Sequence, residues 1–126
     1  MKSYYWADLD LSRFSLEPSI DRAVIELRSN NDGSVLAVIE CSSIIMLNLE
    51  SALGPNGAML PVSVVEVTVE TLDDFALDEF LETCYGFRFG NSKLRREKIA
   101  EAYVLKILGG EIEAILVASK CIVSEP

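Results

Sequence analysis

The stretch "AYVLKILGGEIEAILVASKCIV", residues 102–123, decides the fold class. Two apolar-rich runs flank Gly109-Gly110, and a glycine pair can take the primed turns whose twist matches that of paired strands. The segment therefore reads as strand, turn, strand, with a break near Ser119. Two strands joined by so short a link must run antiparallel, because a parallel pair needs a crossover of a dozen residues or more.

Upstream the same signals recur. Val65, Val67 and Val69 alternate with Glu66, Thr68 and Glu70, the period-two pattern of a strand with one buried face. Val35–Cys41 and Ile44–Leu49 are apolar on nearly both sides and read as two central strands separated by Ser42-Ser43. Ala23, Ile25 and Leu27 alternate with Arg22, Glu26 and Arg28, and "SNNDGS" at 29–34 is hairpin chemistry, since Asn, Asp and Gly tolerate positive φ. Near the N-terminus Tyr5, Ala7, Leu9 and Leu11 are expected on one face and Trp6, Asp8 and Asp10 on the other, up to Pro18. "GPNG" at 54–57 reads as a loop. The expectation is one domain over 1–126 of α+β class, dominated by about six to eight antiparallel strands in a curved sheet or sandwich, with one main acidic helix.

That helix lies in "EVTVETLDDFALDEFLETC", residues 66–84, which holds seven carboxylates and no basic residue. Thr71 ahead of Leu72-Asp73-Asp74 resembles a capping box, with Asp in the place of Glu, so the helix is predicted over about 72–84. At 100° per residue Leu72, Phe75, Ala76, Phe80 and Cys84 share the apolar face, while Asp74, Asp78 and Glu82 form the opposite stripe. Like charges four residues apart cost the free helix a few tenths of a kcal/mol per pair. A basic partner would relieve that cost, which makes Asp74, Asp78 and Glu82 the candidate partner-binding residues. One helical stripe cannot surround a cation, and no EF-hand loop is present, so no metal is expected there.

Composition narrows the function classes. The 126 residues are half apolar and carry a net charge of −9, which opposes affinity for nucleic acid or an anionic membrane. Histidine is absent, so His-based triads, His general bases and imidazole zinc sites are absent with it. No signal-peptide pattern and no apolar run of spanning length is visible, and Cys41, Cys84 and Cys121 form no CxxC motif; together these read as a cytoplasmic protein with buried thiols. Cys84 would sit at the C-terminal end of the helix, where the dipole disfavours a thiolate. "GFRFGNSK" lacks the phosphate-loop spacing, and no G-x-S-x-G occurs. Arg88, Lys93, Arg95, Arg96 and Lys98 form the basic cluster, read as a solvated turn. Tyr4, Tyr5 and Trp6 are aromatic residues that pack or anchor an interface.

The expected function is a non-enzymatic, cofactor-free module that binds a basic protein through its acidic surface. Immunity proteins that neutralise basic nuclease toxins use the same physics, a comparison of charge and size. The alternative is a small-ligand binder with an apolar pocket inside the curved sheet. A homodimer through a sheet face or an edge strand is also expected, because the apolar runs exceed what one helix covers.

Overall fold

The computed structural model describes residues 3–17, 21–51, 61–85 and 101–126. Among them are six strands, β1 (Tyr4–Glu17), β2 (Arg22–Ser29), β3 (Val35–Ser51), β4 (Val62–Asp73), β5 (Glu101–Leu108) and β6 (Ile112–Ser124), and one helix, α1 (Asp74–Tyr85). The strands close into a barrel in the order β1-β2-β3-β6-β5-β4, with β4 returning to β1 and every pairing antiparallel. The antiparallel, β-dominated expectation holds, and the curved sheet closes into a barrel instead of folding into a sandwich. Closure follows from strand length: β1 pairs with β4 through residues 4–11 and with β2 through 9–17, so one long strand belongs to two neighbours in turn. Each strand thus has two partners.

Long strands that wrap a narrow barrel must bend, and the bends fall at residues in the left-handed region. Asp8 has φ 52° and Ser43 has φ 53°. At Asp8 the inward side of β1 changes phase: Tyr4 and Trp6 pack on the core before it, Leu9 and Leu11 after it. Tyr5, expected inside, is instead 63% exposed. β4 changes phase at the same corner, so Val65 faces out while Val64 and Val67 face in. The second corner joins what reads as two strands in sequence: β3 runs unbroken through Ser42-Ser43, bulged between Ile44 and Met46. Asp21 holds this corner, its carbonyl accepting from Ser43 N–H at 3.2 Å and its carboxylate from Ile44 N–H at 3.0 Å. Opposite, β6 switches faces between Ala118 and Cys121, which is the physical content of the predicted break near Ser119.

Six strands leave an interior that side chains can fill. Leu9, Leu11, Ile25, Leu27, Ile39, Leu105, Ile107 and Leu116 occupy it at 2% exposure or less, with alanines and valines between them. The β2–β3 turn matches its chemistry: Gly33 has φ 74°, and Ser29 N–H donates to Ser34 O at 2.8 Å. Gly109 serves differently. It does not take positive φ; a Cβ on it would come within 3.2 Å of Val64 Cγ1.

α1 packs outside the barrel. Leu77 is fully buried among Ala102, Val104 and Val117, with Phe80, Ile45, Met46 and Ile115 around them. Burying such a leucine contributes about 1.5–3 kcal/mol. The inward face is thus centred on Leu77, and Phe75, assigned to it from the wheel, is 72% exposed. The cap also moves. β4 continues through Thr71 and Leu72, and Asp73 is the N-cap, its carboxylate accepting from Ala76 N–H at 2.7 Å. Pairing of Thr71 with Tyr103 and Leu72 with Ala102 keeps this stretch in the sheet, so tertiary pairing overrides the local capping signal.

Candidate functional site

The 12-residue helix is about 18 Å long and cannot cover the whole outer wall of β4, β5 and β6. Register defines what it leaves bare. The row Glu70–Val104–Val117 lies at the helix, and Val104 and Val117 are buried by it. The next row is Thr68–Lys106–Ile115, and the one after it is Glu66–Leu108–Glu113. These two rows line a trough of about 150 Å³. It has the size of a cavity that accepts a benzene ring.

The chemistry of the trough is asymmetric. Leu108 is 42% exposed and lies between two carboxylates, Glu66 on β4 and Glu113 on β6. On β3 the row continues to Glu50, directly opposite Glu113. Lys106 is the basic residue of the lining, and it turns toward the helix: its Nζ lies 5.6 Å from the centroid of the Phe80 ring. A cation over an aromatic face is held by the ring quadrupole. Among the described residues no Lys or Arg makes an ion pair with Glu66 or Glu113. At the β4 bank Tyr5, paired with Thr68, donates its hydroxyl hydrogen to the Glu66 carboxylate, and this raises the phenol pKa above its ordinary value. The arrangement is a ring-sized apolar floor with a carboxylate on either side, neither of them paired with a Lys or Arg among the described residues. A wider concavity of about 610 Å³ is lined by Asp8, Asn30, Val65 and Glu111 among others.

The predicted site residues fall elsewhere. The backbone of α1 places Asp74, Asp78 and Glu82 at helical spacing, but their side chains lie outside the described residues, as does that of Cys84. The loop at 54–57 and the basic cluster from Arg88 to Lys98 lie outside the described residues too. Tyr4 and Trp6 stack with centroids 5.5 Å apart and pack on the barrel core, so two of the three aromatic residues pack inward. No group of three or more metal-ligating side chains converges among the described residues. No described helix is long and apolar enough to cross a membrane. Sequence reading missed Glu66, Leu108 and Glu113 because Glu66 is far from the other two in the chain and the three meet only through strand register.

No protein-family model matches the chain, and no curated protein matches it. A crystal structure of an uncharacterized protein from Neisseria gonorrhoeae is similar over the full length of both chains, with a TM-score of 0.59 and 9% identity. At that identity the likeness concerns the fold alone.

Proposed function

We propose that this chain is a non-catalytic binding protein whose ligand is a compact organic cation bearing one apolar ring. The observation that carries the reading is the row Glu66–Leu108–Glu113, an exposed apolar floor with a carboxylate on either side and the nearby lysine turned away to Phe80. The ring would cover Leu108 and Ile115, and the ammonium would sit between the carboxylates. The net charge of −9 favours approach of a cation from any direction. An exposed ion pair contributes about 0.2–1 kcal/mol, so each carboxylate sets affinity within roughly a five-fold range.

Titration with tyramine, followed by amide and methyl chemical shifts, tests this. Shifts should cluster at Leu108, Lys106 and Ile115, weaken in Glu66→Gln and Glu113→Gln, and be absent with benzoate. Equal response to benzoate, or shifts away from the trough, would reject the reading.

A second reading is a basic protein partner on α1. It is favoured by Phe75, an aromatic side chain 72% exposed on the helix that carries Asp74, Asp78 and Glu82. Aromatic anchors among charges are the composition of binding hot spots. Replacing the three acids by Gln would slow association with such a partner at low salt and leave tyramine binding in the trough unchanged.

A further inference from the structure

Cys41 and Cys121 are directly opposed residues on β3 and β6, and neither is in a disulfide. Opposed residues of an antiparallel pair have Cα atoms about 4.5 or 5.5 Å apart, and both spacings fall within the range a disulfide spans. Both side chains face the barrel interior: Cys41 is 1% exposed and belongs to the core, and Cys121 packs against that core from a half-buried position. On the other side of Cys41 the register places Ala23, too small to separate the two sulfurs. We propose that Cys41 and Cys121 form a reversible dithiol–disulfide site, oxidised by low-molecular-weight disulfides that enter at Cys121.

The two sulfurs have different roles. Cys41 lies in the core beside Cys121, and that neighbour and burial push its thiol pKa up, whereas Cys121 is only half-buried. The more accessible thiol is therefore also the better thiolate. In the first step Cys121, having lost its proton, attacks one sulfur of the oxidant; the oxidant's S–S bond breaks and one thiolate leaves and takes up a proton. In the second, Cys41 loses its proton and its sulfur attacks Cys121 Sγ in the mixed disulfide, expelling the second thiol. Two protein thiols lose two electrons and two protons, and the oxidant becomes two thiols.

The bond would pin the end of β6 to β3. Beyond Ala118, β6 pairs with β3 and, among the described residues, with no strand on the β5 side. A link between residues 41 and 121 would also close about 80 residues of chain, a loop length at which a disulfide strongly constrains the unfolded state.

The test uses the Cys84→Ser chain, so that only these two thiols remain, exposed to glutathione disulfide under native conditions. The expected products are a loss of two hydrogen masses, a peptide containing both Cys41 and Cys121, a rise in Tm of roughly 10 °C and full reversal by dithiothreitol. Slower exchange of the Ile122–Val123 amides should accompany oxidation. Cys121→Ser should fold, because that position is half-buried, and should show neither the mass loss nor the Tm rise. A stable glutathione adduct that never yields the crosslink, or a crosslink that forms only in denaturant, would overturn the proposal.

Discussion

Glu50 on β3 and Glu113 on β6 face each other directly across the barrel wall, both exposed. Opposed like charges on neighbouring strands are destabilising, by up to about 1 kcal/mol. A protein selected only for stability would place a lysine at one of them. Glu113→Gln should therefore raise urea-unfolding stability by a few tenths of a kcal/mol to about 1 kcal/mol at low salt, with the gain fading as salt screens the repulsion. The same variant should bind tyramine more weakly. Lower stability at low salt would show that Glu113 is compensated by a cation and would remove the argument for an open acidic row.

The helix cap rests on one bond. Asp73 holds Ala76 N–H at 2.7 Å at the junction where β4 ends and α1 begins. Asp73→Ala should cost about 1 kcal/mol and Asp73→Asn much less, because Asn accepts the same hydrogen bond. A cap at Thr71 would instead make Thr71→Ala more costly than Asp73→Ala. Equilibrium unfolding of Asp73→Ala and Thr71→Ala separates them.

Thr71 itself offers a sharper case. Its hydroxyl oxygen is buried and has no hydrogen-bond partner among the described residues. A buried hydroxyl without a partner carries its desolvation cost with no return. Thr71→Val keeps the shape and the β-branched backbone preference, so unfolding should show unchanged or increased stability, by up to about 1 kcal/mol. A loss above that size would reveal a partner.

Leu77 is the one helix side chain fully buried among the described residues, and its contacts on β5 and β6 fix α1 to the barrel. Leu77→Ala should cost about 2–5 kcal/mol. Because its neighbours Val104 and Val117 lie beside the trough, the variant should also disturb the Lys106–Phe80 contact and alter tyramine binding. The barrel core on the other face of β5 should stay protected from amide exchange. Uniform loss of protection would mean that helix and barrel unfold as one unit.

How far the sequence could be read depends on the distance over which each feature is encoded. The β2–β3 hairpin is written locally in Asn-Asp-Gly, and the antiparallel character comes from short links such as 109–111. The corners are not local. Asp8 and Ser43 look like ordinary polar residues in strands, and their left-handed backbone is a consequence of barrel closure, since a narrow barrel forces long strands to bend somewhere. Each corner inverts the facing of the residues beyond it, so strict alternation misplaced Tyr5 and Val65. The trough was illegible for the related reason that Glu66, Leu108 and Glu113 come from three strands and meet only through register. The opposition of Cys41 to Cys121 is hidden in the same way.

A pH-dependent tie lies at the first bulge. β1 shifts register between Leu11 and Arg13, and there the Ser12 hydroxyl reaches Glu26 Oε1 at 2.8 Å. Arg28 Nε donates to the same oxygen at 2.8 Å, and its Nη1 donates to Gly33 O at 2.9 Å. Glu26 therefore ties the bulge to the hairpin turn, and the Arg28 bond first, then the Ser12 bond, lower its pKa below the ordinary 4.5. A carboxylate whose pKa is depressed by folding stabilises the native state above its unfolded pKa. That contribution fades as pH falls through the unfolded value toward the folded one, because the unfolded chain takes the proton first. Partial exposure and screening hold the contribution to under about 1 kcal/mol. Wild type should thus exceed Glu26→Gln in urea stability at pH 7, with the difference closing in acid. Ser12→Ala should raise the Glu26 carboxyl pKa measured by NMR titration, and Arg28→Met should raise it further. A stability difference that stays constant from neutral to acid pH would show that Glu26 acts by packing and not by charge.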